Sequence, residues 1–168
     1  MDEKMLVQKA SGGDKEAFAA LYMRCRDDLY RYAYFRLGNE EDARDAVSMC
    51  IVEAYEGIYG LRSAAAFRPW IIRILYRCCC RLMTEQHFNR NNRADIAELN
   101  DLPAENNHIS PEIKEAFGVL NTCDRDIVLL SVIGGYNSRE IASMTGLNPS
   151  TVRSRLKRAL AKMKQFLE

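Results

Sequence analysis

The chain is predicted to be all-α: two small helical domains joined by a flexible linker, the second a helix-turn-helix domain. Three observations predict it. Apolar residues recur at spacings of three and four along most of the chain, and no strand-like alternation of useful length occurs. Residues 87–110 lose that period, are rich in Asn and contain Pro103. Residues 137–156 run Asn137-Ser138-Arg139-Glu140-Ile141-Ala142-Ser143-Met144-Thr145-Gly146-Leu147-Asn148-Pro149-Ser150-Thr151-Val152-Arg153-Ser154-Arg155-Leu156. They read as a short helix, a tight turn at Gly146 and a second helix that turns basic, a shape that fits a DNA major groove.

The elements follow in order. A short helix around 3–10 leads into Ser11-Gly12-Gly13. Asp14 can cap a long helix over about 15–36, which Gly38 closes. Asn39 caps the next, about 40–57, whose first turn holds Glu40, Glu41 and Asp42, where carboxylates suit the helix dipole. Residues 57–66 read as a loop, and a fourth helix covers about 67–86. After the linker, Ser110-Pro111-Glu112 combines a capping Ser with Pro at the first helical position. Helices are predicted at about 111–120, 124–134, 138–145 and 149–166, the last opened by Asn148-Pro149. The predicted domains are therefore 1–86 and 111–168, separated by 87–110, and each is small enough to have a thin core.

Bulk properties narrow the function classes. The chain is 48% hydrophobic and 28% charged, and no apolar run approaches the ~18 residues of a membrane span. It starts Met1-Asp2-Glu3-Lys4 without a charged-then-apolar leader pattern, so the expectation is a cytoplasmic protein with no membrane insertion. The net charge of +1 hides an asymmetry. Residues 1–83 carry 13 Lys+Arg and 12 Asp+Glu, residues 84–112 carry 2 and 6, and residues 113–168 carry 9 and 5. The last segment is the better polyanion binder, and DNA would repel the acidic middle.

Six cysteines occur without a C-x-x-C spacing. On a helix over 67–86, Cys78 faces the core, Cys80 faces away and Cys79 lies between them. Three neighbours pointing three ways make no zinc site, so the expectation is reduced thiols, with Cys80 the one nearest solvent. No catalytic constellation, phosphate loop or cofactor motif is present, and His87 and His108 have no metal-spaced partners. The chain reads as a binding protein rather than an enzyme.

Three helix faces carry recognition chemistry. On the last helix, Val152, Leu156, Ala159, Leu160 and Met163 form an apolar stripe to be buried. Ser150, Thr151, Ser154, Lys157 and Arg158 lie opposite, flanked by Arg153 and Arg155. Hydroxyls with Lys and Arg at the start of such a helix suit base edges and phosphates. The fourth helix is predicted to bury Phe67, Trp70, Ile71, Ile74, Leu75, Cys78 and Leu82. Its outer face shows Arg73, Tyr76, Arg77 and Cys80 with Arg68 and Arg81 beside them, charge for a backbone and a ring for stacking, as in single-strand grooves. The third helix buries Ala43, Ala46, Val47, Cys50, Ile51, Ala54 and Tyr55. Its opposite face mixes Met49 and Val52 with Asp42, Asp45, Glu53 and Glu56, which suits a protein partner.

With these motifs together, the chain resembles the extracytoplasmic-function (ECF) sigma factors of bacterial RNA polymerase over about 14–84 and 111–166. Ala17 to Tyr22, Leu29 to Ala33, Glu41 to Val47 and Phe67 to Ile74 look like regions 2.1, 2.2 and 2.3–2.4 of that family. Leu120 to Leu156 looks like region 4, and Pro149 to Leu156 is close to its most specific string.

The resemblance implies a transcription initiation factor. Its first domain would dock on core polymerase through Asp42, Asp45, Met49, Val52 and Glu53. It would open the −10 element with Arg62, Ser63, Phe67, Arg68, Arg73, Tyr76 and Arg77, holding a flipped base in the loop before Phe67. The second domain would read the −35 duplex with Ser150, Thr151, Arg153, Ser154, Arg155, Lys157 and Arg158. The implied partners are core RNA polymerase, promoter DNA and an anti-sigma factor. Two other classes are kept: a stand-alone helix-turn-helix regulator, and a sigma-like polymerase-binding protein defective in promoter opening.

The sequence departs from the family pattern at several positions. Ser48-Met49 follows Ala46-Val47 where the family usually has Gln-Glu or Gln-Asp. Glu53 stands where Arg is frequent. Arg77 replaces a favoured Asn, Arg81 a favoured Asp or Asn, and Ser150 a common Gly. More phosphate contact and less base reading at the −10 element would follow.

Overall fold

The computed structural model describes residues 1–92 and 109–168, and every regular element among them is helical. Four helices form the first domain: α1 (Glu3–Ser11), α2 (Lys15–Leu37), α3 (Glu40–Gly57) and α4 (Phe67–Asn92). Four form the second: α5 (Pro111–Gly118), α6 (Thr122–Val132), α7 (Ser138–Thr145) and α8 (Pro149–Leu167). The predicted linker falls outside the described residues over 93–108, together with Pro103 and His108.

Local chemistry sets most boundaries. The Asp14 carboxylate accepts from the Ala17 N–H at 3.0 Å, and the Asn39 side chain accepts from the Asp42 N–H at 2.9 Å. Ser110 caps α5 and Asn121 caps α6 in the same manner. Gly38 ends α2 with φ of 84°, a left-handed conformation that costs a side-chain-bearing residue about 1–2 kcal/mol.

Several predicted boundaries move: α5 ends at Gly118 and α6 at Val132, each two residues early. α4 continues past residue 86 to Asn92, because nothing between Met83 and Asn92 is Gly or Pro. α6 begins at Thr122, earlier than predicted, because Asn121 supplies the cap. The 57–66 loop contains two single 3-10 turns, Ile58–Gly60 and Ala64–Ala66.

The first domain packs α2, α3 and α4 around Leu21, Leu29, Tyr32, Ala43, Ala46, Cys50, Ile71 and Leu75, with α1 laid across α2 through Leu6, Val7 and Ala10. Trp70 and Leu82 are only half-buried, contrary to expectation, while Ile72 and Cys79 are fully buried. Ile72 and Cys79 share a face with Tyr76, whose hydroxyl donates to the Met144 carbonyl of the second domain at 3.3 Å. That face of α4 packs among the helices around it and touches the second domain at Tyr76, which the period of α4 alone cannot reveal.

The second domain has a core of its own in Leu120, Val128 and Ala159. Ile127, Leu129, Leu130, Tyr136, Ile141, Ala142 and Val152 are instead continuous with the core of the first domain. α6 packs on α2, and Phe35 stacks on Phe117 with ring centroids 4.1 Å apart. Arg36 of α2 is ion-paired with Asp126 of α6, the one charged residue buried among the described residues. Burial pushes the Asp126 carboxyl from its ordinary 3.8 up to about 6, against the pull of Arg36 and Arg125.

Two expectations follow. Leu29, wholly enclosed, loses about 2–5 kcal/mol of stability on Leu29→Ala, whereas Leu160→Ala, at a 42% exposed site, stays within about 0.5 kcal/mol in chemical denaturation. Asp126 titrates near pH 6 when its carboxyl carbon is followed by NMR. The folded form then holds a proton that the unfolded chain has released, so this group's contribution is full below about pH 4 and is lost as pH rises through 6. A midpoint below 4 would mean that the arginines outweigh burial.

Candidate nucleic-acid interface

The second domain presents its basic face from a rigid turn. Asn137 caps α7 by accepting from the Glu140 N–H at 2.9 Å, and the Asn137 N–H donates back to the Glu140 carboxylate at 2.8 Å. Gly146, at φ of 77°, closes α7 and turns the chain into α8. Asn148 then organises the first turn of α8. Its side-chain oxygen accepts from the Thr151 N–H at 3.4 Å, from the Ser150 hydroxyl at 3.1 Å and from the Thr151 hydroxyl at 3.0 Å. Both hydroxyls are held at the helix start, where amide N–H groups and the helix dipole favour a phosphate.

Ser150, Arg153, Ser154, Lys157 and Arg158 are exposed on one side of α8, and Thr151 is half-exposed. α8 from Pro149 to Leu167 contains no Asp or Glu, so this face is uniformly cationic. Arg155 differs from its neighbours: it is paired with Asp124 of α6 at 3.4 Å and is less exposed. The predicted apolar stripe holds at Val152 and Ala159 and partly at Leu156 and Met163. Leu160 is exposed, because the helices packed on α8 do not reach over that side.

The α4 face is arranged differently. Arg62, Ser63, Arg68, Arg73 and Arg77 are exposed and Tyr76 is half-buried, but Phe67 lies in the core. Phe67, expected to be buried on this helix and also named for the −10 contact, has its ring packed inward beside Trp70. Arg62 and Ser63 open onto a depression that also takes in Lys4, Gln8 and Ser11 of α1. The Ser11 hydroxyl donates to the Leu61 carbonyl at 3.4 Å and ties α1 to this loop. The polar α1 residues were missed from sequence because they lie some 55 positions away from the loop and carry no motif.

Three of the predicted α4 residues touch the second domain. The Arg68 Nε donates to the Ile133 carbonyl at 3.0 Å while its Nη2 pairs with Asp28 at 2.7 Å. Arg73 lies over the Tyr136 ring, 5.9 Å from its centroid, and the Tyr136 hydroxyl donates to the Pro69 carbonyl. Tyr76 reaches the Met144 carbonyl, as above. Burial, then the adjacent Cys80, pushes the Tyr76 hydroxyl up to about 12, so it stays a donor.

On α3, Asp45 and Val52 are open to solvent, Val52 at 58%. Asp42 is engaged by Asn39 and by Gln86 of α4, and Glu53 is ion-paired with Arg81 of α4. Met49 was predicted to face solvent; it is half-buried and packs on the core. The open apolar surface is instead a shallow hollow of Phe18, Ile51, Val52 and Tyr55, rimmed by Lys15 and Glu56, where Phe18 meets Tyr55 edge-on at 5.2 Å. Phe18 and Tyr55 come from different helices, so one-helix periodicity could not place them together.

All six cysteines are free, with Cys25, Cys50, Cys78 and Cys79 buried and Cys80 and Cys123 half-exposed. Burial raises the Cys25 thiol to about 11 and moves those of Cys50, Cys78 and Cys79 upward as well, which keeps them protonated and unreactive. Among the described residues no group of His, Cys, Asp and Glu is arranged to hold a metal ion, and no helix is long and apolar enough to cross a membrane.

Comparison with known proteins places these faces in a family. Residues 21–88 match the model for sigma-70 region 2, and residues 111–163 match that for sigma-70 region 4. The RNA polymerase sigma factor SigV of Bacillus subtilis is 28% identical, over 89% of this chain and 93% of its own length. CnrH of Cupriavidus metallidurans, also an RNA polymerase sigma factor, is 27% identical over 99% and 94%. The fold is similar to that of CnrH solved with the cytosolic domain of CnrY, at a TM-score of 0.66 and 24% identity over 99% of this chain and 97% of that one. It is likewise similar to the sigma factor RpoE solved with the anti-sigma factor NepR from Bartonella quintana, at 0.69 and 18% over 89% and 96%. With region 2 followed by region 4 and whole-length relatives that include the ECF sigma factor SigM of Mycobacterium tuberculosis, this chain belongs to the sigma-70 family as an ECF RNA polymerase sigma factor.

Proposed function

We propose that residues 1–86 form the domain that binds core RNA polymerase and the −10 element, that 111–168 form the −35 reader, and that 87–110 join them. The observation that carries this reading is the pair of faces just described, an acid-free cationic α8 on the region 4 side and an exposed arginine-tyrosine face with an apolar hollow on the region 2 side. Ser150, Thr151, Arg153, Ser154, Lys157 and Arg158 contact the −35 duplex, with Arg155 shared between DNA and Asp124. Arg62, Ser63, Arg68, Arg73, Tyr76 and Arg77 contact the −10 strand, joined by Lys4 and Gln8. Polymerase docks on Asp42, Asp45, Met49, Val52 and Glu53, with Phe18, Ile51 and Tyr55 completing the apolar part. The chain acts by binding rather than as an enzyme, and it works in the cytoplasm beside the polymerase. The two solved relatives captured with regulatory partners support a comparable anti-sigma partner here. A stand-alone regulator would leave the region 2 face without a use.

Two experiments test this. Co-elution with bacterial core polymerase followed by run-off transcription from a genomic fragment library gives new start sites for the natural chain. Val52→Asp reduces co-elution strongly with an unchanged melting temperature, since the side chain lies in solvent. Normal co-elution of that variant would move the docking face elsewhere. In holoenzyme bound to a promoter found by that transcription assay, Arg153→Ala with Arg158→Ala flattens log K against log salt by about 0.9 per lost phosphate contact. Arg155→Ala flattens it less, because Asp124 already holds part of that charge. An unchanged slope in the double variant would remove α8 from the DNA.

A further inference from the structure

The loop before α4 is one wall of a depression whose other wall is α1. That helix lies outside residues 21–88, the stretch that matches sigma-70 region 2. Lys4, Gln8 and Ser11 recur at spacings of four and three, so they share one side of α1. Their side is held toward the loop by what surrounds it. Leu6, Val7 and Ala10 are buried and fix the roll of the helix. The Ser11 hydroxyl donates to the Leu61 carbonyl at 3.4 Å and ties the end of α1 to the loop. Gly13, at φ of 99°, then reverses the chain into α2 without moving α1 off that wall.

The depression has a volume of about 600 Å³, within the range of sites that take small flat ligands. Val7, Leu61 and Ala64 supply its apolar part, and Lys4, Gln8, Arg62 and Ser63 its polar part. No Asp or Glu lines it. Among the described residues these four polar side chains have no hydrogen bond or ion pair of their own. Arg68 and Arg81 of α4, by contrast, are already held by Asp28 and Glu53. Unspent donors around an apolar patch suit an unstacked base and its phosphates. The roles divide by chemistry. Lys4 and Arg62 only donate, and they suit the phosphates that every nucleotide carries. Gln8 presents a donor and an acceptor in one plane, which is what the edge of an extruded base pairs with.

We propose that α1 is a base-reading element: Gln8 sets which unpaired base of the −10 strand the depression accepts, while Lys4 and Arg62 hold the neighbouring phosphates. The proposal rests on the assignment of the loop before α4 to the −10 strand. It gives the choice of base to a helix that the region 2 match does not include, so promoter preference in this chain is set partly by residues outside that match. Ser63, beside Arg62 on the loop, adds a hydroxyl that donates or accepts and so discriminates less than the amide opposite. Exposure of Gln8 and Lys4 leaves both free to meet a strand without repacking the core.

The test uses holoenzyme assembled from core polymerase and the full chain, on the promoter found by run-off transcription. The −10 element is opened in advance as a mismatched bubble, each position of its non-template strand carries each of the four bases in turn, and affinity is read by fluorescence anisotropy. Gln8→Leu keeps the apolar stem and removes the amide. At one position it should cut the natural chain's preference for one base about tenfold, the worth of one paired base edge, and it should leave the other positions as they are. Gln8→Ala should do the same and carries the test if Gln8→Leu aggregates. Lys4→Ala should weaken binding of all four bases alike and flatten log K against log salt by about 0.7, the value for one phosphate contact to a single strand. Unaltered base preferences at every position in both Gln8 variants overturn the proposal. An equal loss for all four bases overturns it as well, since α1 would then only brace the loop. Absence of transcripts from the natural chain would instead sink the sigma reading on which the proposal rests.

Discussion

The arrangement of the whole molecule depends on one short helix being asked to serve two cores. α6, from Thr122 to Val132, gives Val128 to the small core it shares with Leu120 and Ala159. The rest of its apolar surface, Ile127, Leu129 and Leu130, is continuous with the core of the first domain. A domain of this size cannot enclose so much apolar surface alone, since surface outruns volume in small folds. Some covering is therefore required, and α2 and α4 supply it. The order α5–α8 and the fold of the helix-turn-helix follow from local caps, but the placement of that unit follows from the exposed side of α6.

The ion pair within that contact specifies more than it stabilises. Removing two charges from water costs several kcal/mol per ion, and their attraction repays it only with good geometry and further hydrogen bonds. Burial wins at Asp126, as its raised pKa shows, so the pair adds little net favourable energy near neutrality. What it does is penalise alternatives. Sliding α6 along α2 would leave either charge enclosed without its partner, which costs far more than the pair contributes when made. An apolar contact such as Phe35 on Phe117 supplies attraction with little preference for register, and Arg36–Asp126 supplies the register. Together they account for a contact between α2 and the second domain that is well defined.

Elements that depend on neighbours in the chain were legible in the sequence. Asp14, Asn39, Ser110 and Asn148 announce helix starts, Gly38 and Gly146 announce stops, and the side chains of all four caps do accept the N–H groups expected of them. The cationic side of α8 was legible because a helical period alone separates it from Val152 and Ala159. What depended on a second helix was not. Met49 was placed in solvent from the α3 period, but residues packed beside it reach over its stem. Trp70 was placed in the core from the α4 period, but it is only half-buried beside Phe67. Ile72 and Cys79 lie on a side of α4 that its own period leaves outside the predicted core stripe, and packing against other helices buries them. Charge within an apolar run, as at Asp126 before Ile127-Val128-Leu129-Leu130, was the one sequence signal that a partner cation should be sought elsewhere.

Two apparent departures from the ECF pattern become one feature in three dimensions. The sequence comparison set Glu53 against a frequent Arg and Arg81 against a favoured Asp or Asn, as though two separate sites had changed. In the structure Arg81 is ion-paired with Glu53, and a second donor contact runs from Arg81 to the Cys78 sulfur at 3.2 Å. The two departures are therefore a pair with its polarity exchanged between α3 and α4. An exchange of this kind keeps the α3–α4 link while leaving the sum of charge near that link unchanged, so the long-range field met by an approaching polymerase is altered less than Glu53 alone suggests. Its effect is local: the carboxylate now sits on α3 next to Val52, and the cation on α4 lies on the side that carries Arg77. The exchange makes the α3 side of the link more acidic and the α4 side more basic, an effect that falls off within a Debye length of about 8 Å at physiological salt.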